Sequence, residues 1–320
     1  MAARRPFVAD PALTGIAIGY RNLAQTLIAD EVLPRVPVLS EEFKWLEYPV
    51  GEAFTVPESQ VGRRGRVAQV EFSAEERTAS TDDYGFGSSI PNSDITKAAA
   101  ARAAKQTVYD PENHAAEMLT SLLLLDREVR VAKVVQDSAN YLPSQRLVLA
   151  GGDKFSSYDT SDPISVIKQG LDGTLIYRPN TMVMSQLVWS KLSSHPHIVN
   201  AIRGNVTGKG MVTRDEFAKL FEVQRILVGE SRVNVARPGQ NPDLARVWGK
   251  SLQLVYLDPT ARPEGGVTWG FTAQFGSRIA GRIEDGNIGL EGGHEIRVGE
   301  KRKELIVAKS VGYQIDNAIA

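Results

Sequence analysis

Four histidines and the absence of cysteine limit the chemistry that this sequence can perform. His195 and His197 flank Pro196, a spacing that occurs in metal sites, but no carboxylate follows at the distance of an HExxH motif. His114 and His294 lie far away in the sequence, so we interpret the pair as polar residues at a helix break. Without cysteine, the chain forms no disulfide, no cysteine-based zinc site and no thiolate nucleophile.

Two glycine-rich segments match phosphate-binding loops only in part. In GNVTGKG only three residues separate Gly204 from Gly208, and Gly210 stands where a P-loop has its Mg²⁺-binding Ser or Thr. GGDK, residues 151–154, is better explained as a turn. There is no GxSxG elbow, no GxGxxG between a strand and a helix, and no SxxK with its companion motifs. We therefore predict no catalytic, cofactor-binding or metal site. Because Asp and Glu are numerous, a catalytic pair of carboxylates without a recognisable motif stays an open alternative.

The composition is that of an ordinary globular protein. The chain has 320 residues, of which 42% are hydrophobic and 23% are charged, enough for one large or two ordinary domains. A formal net charge of −1 does not indicate a nucleic-acid or membrane partner. The N-terminal MAARRPFVAD lacks the apolar core of a secretory signal, and no run reaches about 18 apolar residues. These features fit a cytosolic or virion setting.

The most informative part of the chain is a segment rich in β-forming residues near positions 43–79. FKWLEYPVGEAFTV and RVAQVEFSAEERTA predict the two limbs of an extended ribbon, joined by the polar tip PESQVGRRGR. A lone two-stranded ribbon is marginal in water, and its open edges invite pairing with another chain. We therefore expect its charges to contact neighbouring copies of the protein, although any single one could equally be a solvated surface charge. The charges are Arg63, Arg64 and Arg66 at the tip and Glu71, Glu75 and Glu76 on the return limb.

The tip could alternatively touch a phosphate backbone. It has no interleaved aromatic residues, so this signal is weak, and a contact between proteins is at least as well supported.

A long helix is predicted over residues 110–140, directly after the ribbon and without any core-forming element between them. Asp110 is a good N-cap, Pro111 suits the first helical position, and Glu112 lies where the helix dipole favours an anion. A helix of about 30 residues would be about 45 Å long. Its apolar stripe at 3.6-residue spacing is Ala115, Leu119, Leu122, Leu123, Val129, Ala132 and Val135.

The other segments predict an arm and a mixed α/β region. Residues 1–44 form the arm, helical over 11–30 and then extended. Residues 144–290 predict a helix capped by Asp162, an amphipathic helix broken at Pro196, and a helix opened by a Thr213–Glu216 capping box. The predicted strands are TLIY, TMVMS, RILVGESRVNV and SLQLVYLDP, and the glycine-rich residues 261–292 predict loops and short strands. ELIVAKSVGYQI predicts a final strand, which we expect to pair beside the long helix.

The order of these elements resembles that of the major capsid proteins of tailed bacteriophages, which have the HK97-like fold. The stretches that look like this family are ADPALTGIAIGYRN, IADEVLPRVPV, RPNTMVMSQLVWSKLSSHPHIVNAIR and VWGKSLQLVYLDP. The resemblance implies an α+β fold in which the long helix, 110–140, is the spine helix. It further implies an N-terminal arm at 1–44, an extended β-hairpin E-loop at 45–95, a peripheral domain at 96–159, a mixed α/β apical domain at 160–290, and a C-terminal strand at 291–320 that returns to the peripheral domain.

By the same resemblance, the chain is expected to be a head protein that assembles into pentamers and hexamers of an icosahedral shell around double-stranded DNA. The expected partners are further copies, a separate scaffolding protein, a portal and, as a further candidate, a cement protein. DNA would be enclosed without sequence-specific binding, no membrane would be involved, and the virion would be assembled in the host cytoplasm. The E-loop and the arm would reach across to adjacent subunits.

One departure from the family pattern concerns cross-linking. Some relatives join their subunits through an isopeptide bond from an E-loop lysine, but this chain has no lysine between Trp45 and Thr96. That bond is therefore not expected here.

Three other interpretations stay open. An encapsulin-type nanocompartment shares the fold but loads enzyme cargo, and neighbouring genes would distinguish it. An α/β enzyme with an insertion predicts a monomer or small oligomer with a pocket of converging polar groups. A tail-tube protein is disfavoured by the long helix and the large α/β region.

Overall fold

The computed structural model describes residues 10–19, 27–47, 75–204, 209–260 and 266–320, together with 56, 59–61, 65–67 and 69. Within these residues the chain forms two main sheets, two small hairpins and a set of helices. The helices are α1 Pro11–Gly19, α2 Ala29–Val32, α3 Asn92–Ala103, α4 Pro111–Gln136, α5 Pro163–Asp172, α6 Gln186–Ser193, α7 Pro196–Arg203 and α8 Arg214–Phe221. None of these described helices has the length and apolar character that crossing a membrane requires.

The first sheet has four strands in the order β1-β11-β12-β4. Its strands are β1 Arg35–Val38, β4 Asp82–Pro91, β11 Gly270–Asp285 and β12 Gly293–Ile306. β1 runs parallel to β11, and the other neighbours are antiparallel. Helices α1 and α4 cover one face of this sheet and bury an apolar cluster against it. The buried members are Leu13, Ala17, Ile90, Ala116, Leu119, Leu123, Ala280, Ile296 and Val298.

The second sheet has five strands in the order β5-β13-β10-β6-β7. Its strands are β5 Arg146–Val148, β6 Thr181–Ser185, β7 Arg225–Gly229, β10 Leu252–Val255 and β13 Gly312–Asp316. Side chains of α5 to α8 share one apolar cluster with this sheet, for example Ile167, Leu192, Ile198 and Phe217. We call the five-stranded sheet with α5 to α8 the body. The small hairpins are β2 Glu42–Glu47 with β3 Glu75–Ser80, and β8 Arg232–Asn234 with β9 Leu244–Arg246.

The long helix α4 begins as predicted but ends earlier. The Asp110 side chain accepts a hydrogen bond from the backbone N–H of Glu112 at 3.0 Å, and Pro111 is the first helical residue. The helix ends at Gln136 because Asp137 caps a separate 3₁₀ turn over Ser138–Asn140. Its buried stripe also differs from the prediction, since Leu122 is 49% exposed. The buried residues are Pro111, Ala116, Leu119, Thr120, Leu123, Arg127, Glu128, Val131, Ala132 and Val135.

Two predictions about the sheet were wrong. Residues 82–103 were expected to hold no core-forming element, but they form β4 and α3. Residues 261–292 were expected to hold loops and short strands, but β11 alone has 16 residues. The second prediction relied on the glycines of that segment, but glycine also permits strands to approach closely. A Cβ on Gly270 of β11 would stand 2.6 Å from the carbonyl oxygen of Leu305 on β12.

The predicted C-terminal strand is divided between the two sheets. β12 ends at Ile306 and contacts α4, a 3₁₀ turn follows at Lys309–Val311, and β13 enters the body. TLIY, residues 174–177, was predicted as a strand but forms a bend, in which the Thr174 hydroxyl donates to the carbonyl oxygen of Tyr177 at 2.9 Å.

Several local predictions in the body are confirmed. Asp162 caps α5, the amphipathic stretch divides into α6 and α7 at Pro196, and Thr213 with Glu216 forms a complete capping box on α8.

The described segments of the predicted arm lie on their own chain. Asp10 donates its N–H to the carbonyl of Ala280 at 3.1 Å, and Arg278 donates to the carbonyl of Ala17 at 2.7 Å. Residues 27–38, which we call the strap, contain α2 and β1, and β1 pairs with β11. Residues 10–19 and 27–38 bury apolar side chains against α4 and the first sheet of their own chain. That the arm also reaches across to an adjacent subunit stays a prediction.

Candidate assembly surface

The β2–β3 hairpin is fixed at its root to the outer face of the first sheet. Phe43 is buried in a cluster with Val38 of β1 and with Phe271 and Ala273 of β11. The Trp45 ring lies 6.1 Å from that of Phe43, and Trp45 packs on the same cluster. The β2–β3 hairpin thus has an anchored base, whereas most side chains of β3 are exposed.

Ion pairs with β12 surround this root. Lys301 contacts Glu41 at 2.5 Å and Asp83 at 3.3 Å, and Lys303 contacts Asp82 at 2.8 Å. All of these side chains are at least one-third exposed, so the pairs orient the chain more than they stabilise the fold.

The structure describes half of the six charges that were predicted to contact neighbouring copies. Arg66 is exposed, and Glu75 and Glu76 are exposed on β3. Within the chain, Glu75 pairs with Arg77 at 2.9 Å, and Glu76 pairs with Lys44. Arg63, Arg64 and Glu71 lie outside the described residues. The described residues therefore do not bring the basic tip and the acidic limb together.

β4 presents an open edge of the first sheet. It is the terminal strand in the order β1-β11-β12-β4, and Gly85, Phe86, Gly87 and Ser89 are exposed. Between Tyr84 and Ile90 it has neither lysine nor proline, the residues that commonly protect such edges. An unprotected edge of this kind is suited to pairing with another strand.

A band of exposed apolar residues lies beside this edge. Met118 and Leu122 lie one turn apart on α4, and both are half exposed. A groove of about 410 Å³ at the start of α4 is lined by Ile90, Tyr109 and Met118, among other residues. Val108, just before it, is 97% exposed. Exposed apolar patches on a folded subunit commonly mark contacts with other proteins.

His195 lies in a buried polar cluster that does not support catalysis. Its Nδ1 accepts the backbone N–H of His197 at 3.2 Å, so the proton resides on Nε2 and is donated to the Ser161 hydroxyl at 3.0 Å. Ser161 in turn donates to the carbonyl of Ser157 at 2.8 Å. Burial, with a smaller effect of His197, lowers the pKa of His195 to about 4. His195 thus donates a proton toward Ser161 and cannot remove one, which is the reverse of nucleophile activation.

The described residues also contain no group of three His, Cys, Asp or Glu side chains arranged to hold a metal ion.

A layer of charged residues lies between α4 and the first sheet, and its members Arg127, Glu300 and Arg302 are buried. Glu300 accepts from Arg35 at 2.8 Å and from Arg278 at 3.4 Å, and it also pairs with Arg302. Burial alone would raise the pKa of Glu300, but the three arginines outweigh burial and lower the pKa. Burial lowers the pKa of Arg302 to about 9. We call the following residues the charged layer: Asp30, Arg35, Arg127, Arg130, Arg278, Glu300, Arg302 and Glu304.

Two consecutive residues of α4 hold the short helix α2 of the strap at both ends. The Glu128 carboxylate accepts the N–H groups of Ile28 at 3.1 Å and Ala29 at 2.8 Å, and Arg127 donates to the carbonyl of Leu33 at 3.1 Å. An anion at the start and a cation at the end of a helix both match its dipole. Sequence reasoning missed both residues. Both lie eight residues after buried positions of α4, Leu119 and Thr120, and therefore on the same face of the helix. This spacing could have indicated that they are buried.

Comparison with known proteins identifies the group to which this chain is similar. No protein-family model matches it. The major capsid protein of Pseudomonas phage JBD67 is 44% identical over 315 residues, covering 98% of both chains. The major capsid protein of Burkholderia phage BcepMu is 26% identical over 321 residues, covering 96% of both chains.

Solved structures share the fold. A phage-related protein from Bordetella bronchiseptica superposes with a TM-score of 0.73 at 22% identity, covering 98% of both chains. A subunit from the capsid of cyanophage P-SCSP1u superposes with a TM-score of 0.58 at 10% identity, covering 91% of this chain and 88% of that one. The fold is therefore the HK97-like α+β fold that the sequence predicted. Given this fold and 44% identity along almost its whole length, the chain belongs to the major capsid proteins of phages.

Proposed function

We propose that this chain is the repeating subunit of an icosahedral phage head, in which copies of it form pentamers and hexamers around packaged double-stranded DNA. The observation that carries this proposal is the 44% identity to a phage major capsid protein over 98% of both chains. The chain then works as a structural protein, and its chemistry is the formation of contacts between subunits.

In this proposal the parts of the subunit have separate roles. The arm is 1–44, the E-loop 45–95, the peripheral domain 96–159, the apical domain 160–290 and the C-terminal segment 291–320. Helix α4 is the spine helix. The anchored root of the β2–β3 hairpin supports the E-loop assignment, because a loop that reaches a neighbour needs a fixed base on its own subunit.

The contacts with neighbouring copies are proposed to involve the charges of the hairpin, namely Arg63, Arg64, Arg66, Glu71, Glu75 and Glu76. Support comes from the exposure of Arg66, Glu75 and Glu76. The internal pair Lys44–Glu76 is about half exposed on both sides, and such pairs contribute little to stability, so a neighbour can replace one partner.

The remaining partners follow from the same proposal. They are a separate scaffolding protein, a portal and a cement protein as a further candidate, with assembly in the host cytoplasm and final residence in the virion. A formal net charge of −1 suits a wall that encloses DNA without sequence-specific binding and without tight electrostatic attraction.

The experiment is deletion of residues 57–67, the tip of the hairpin. We expect a folded subunit that forms no closed shells, examined by negative-stain microscopy and light scattering with and without a co-expressed scaffold candidate. A variant that carries a Gly/Ser linker of equal length serves as the matched control for the length of the loop. Normal shells from the deletion variant would refute the role of the loop. An unmodified chain that stays monomeric under every condition would refute the shell assignment itself.

A further inference from the structure

One buried carboxylate serves two parts of the molecule at once. Glu128 on α4 is fully buried and accepts hydrogen bonds from the strap through the N–H groups of Ile28 and Ala29. From the segment between β7 and β10, it accepts from the indole Nε1 of Trp248 at 2.7 Å and from the Ser231 hydroxyl at 3.4 Å. The strap and the segment between β7 and β10 thus donate hydrogen bonds to the same carboxylate.

Residues 247–249, which include Trp248, make a second contact with α4. Gln136, eight residues after Glu128, accepts the N–H of Gly249 at 2.6 Å and lies 3.4 Å from the carbonyl of Val247. The Trp248 ring also lies flat against Gly229 of β7, where a Cβ would overlap the ring. Residues 247–249 are therefore held between α4 and the body.

We propose that Glu128 is a positioning residue that couples the docking of the strap to the seating of residues 247–249 on α4, so that loosening either contact loosens the other. A buried carboxylate is tolerated only when hydrogen-bond donors replace the water that it has lost. The strap supplies two of the four donors, and Ser231 and Trp248 supply the other two. If either the two strap donors or the Trp248 and Ser231 donors are lost, the carboxylate has too few hydrogen bonds to stay buried. It then moves toward water, and this movement breaks the remaining hydrogen bonds. The coupling is reciprocal by thermodynamic linkage.

Apolar packing is the competing explanation, because strap residues share a cluster with Trp248. The chain offers a matched control in Trp269, which is fully buried in the same cluster. Its Nε1 has no hydrogen-bond acceptor among the described residues. Trp248→Phe and Trp269→Phe therefore remove similar volume from one cluster, but only the first removes a hydrogen bond to Glu128.

The test is hydrogen–deuterium exchange of the full chain, read at the amides of residues 27–33. We expect Trp248→Phe to speed this exchange about tenfold, the loss typical of one hydrogen bond to a charged group, and Trp269→Phe to speed it less than about threefold. Glu128→Gln should also speed it. The double variant Glu128→Gln with Trp248→Phe should show less than the product of the two single effects.

Equal effects of the two tryptophan variants, or a double variant whose effect equals the product, would overturn the proposal. If Trp248→Phe does not fold, Ser231→Ala replaces it, since it removes a donor to the same carboxylate at small cost in volume. Exchange about twofold faster in the strap is then expected, and unchanged exchange would overturn the coupling. None of these outcomes depends on whether the chain forms shells.

Discussion

The charged layer between α4 and the first sheet should be sensitive to a single isosteric change at Glu300, which is buried among three arginines. Glu300→Gln keeps the size of the side chain and one acceptor oxygen but removes the negative charge. Three guanidinium groups, those of Arg35, Arg278 and Arg302, then face a neutral amide. Arg302 is fully buried, so its charge has no access to water.

The size of the effect follows from the geometry. Each guanidinium at about 4 Å contributes ~4 kcal/mol of gross attraction at an effective dielectric constant of about 20, and the burial of the carboxylate opposes this attraction. Removal of one partner from a buried ion pair costs about 3–5 kcal/mol, because the other charge stays buried and unpaired. The retained amide oxygen still accepts a hydrogen bond, so we expect a loss of about 3 kcal/mol in the free energy of unfolding.

The assay is urea unfolding of the unassembled subunit at pH 7, with Glu41→Gln as the control. Glu41 pairs with Lys301 at 2.5 Å but is 55% exposed, so its replacement should cost less than about 1 kcal/mol. The folded-state pKa of Glu300 lies below the ordinary 4.5, so its stabilisation is complete above pH 4.5 and is lost as the pH falls through the folded value. A loss below 1 kcal/mol in Glu300→Gln would refute the reasoning.

Further predictions concern His195 and two glycines. The pKa of His195 is lowered from 6.5 to about 4, so this residue takes up a proton at a higher pH in the unfolded chain than in the folded one. The free energy of unfolding should therefore fall by up to about 3 kcal/mol as the pH drops from 6.5 toward 4. Urea unfolding between pH 7.5 and 4.5 should show this fall in His197→Asn, which keeps His195, and should not show it in His195→Asn. If the free energy of unfolding depends on pH equally in both variants, the prediction is wrong. Gly229→Ala should destabilise the subunit by about 3 kcal/mol, because its Cβ would overlap Trp248, whereas Gly15→Ala meets no atom within 4 Å and should stabilise α1 by roughly 0.5–1 kcal/mol. Thermal unfolding measures both, and equal effects would exclude the overlap as the cause.

The elements that could be predicted from the sequence are those that neighbouring residues specify. The start of α4 depends on Asp110 and Pro111, and the start of α8 depends on Thr213 and Glu216, three positions apart. Caps of this kind act within one helical turn, so a single sequence contains the whole signal. The order of the elements was then sufficient for the resemblance to capsid proteins.

The elements that could not be predicted depend on distant partners. Glu300, Arg302 and Glu304 alternate along β12, a pattern that usually indicates a strand face in water. Here α4 covers that face and supplies Arg130 as a countercharge to Glu304, 174 positions later in the chain. No property of β12 alone reveals the cover, so the charged layer was missed.

The place of β13 in the body has a consequence for how the protein is made. Among the described strands it is the last in chain order, yet it lies inside its sheet between β5 and β10. A polypeptide that is still being translated can form α4 and its apolar stripe, but β5 and β10 have no partner between them until residues 312–316 leave the ribosome. Chains that terminate before residue 312 therefore lack the strand that joins β5 to β10, and their five-stranded sheet is interrupted.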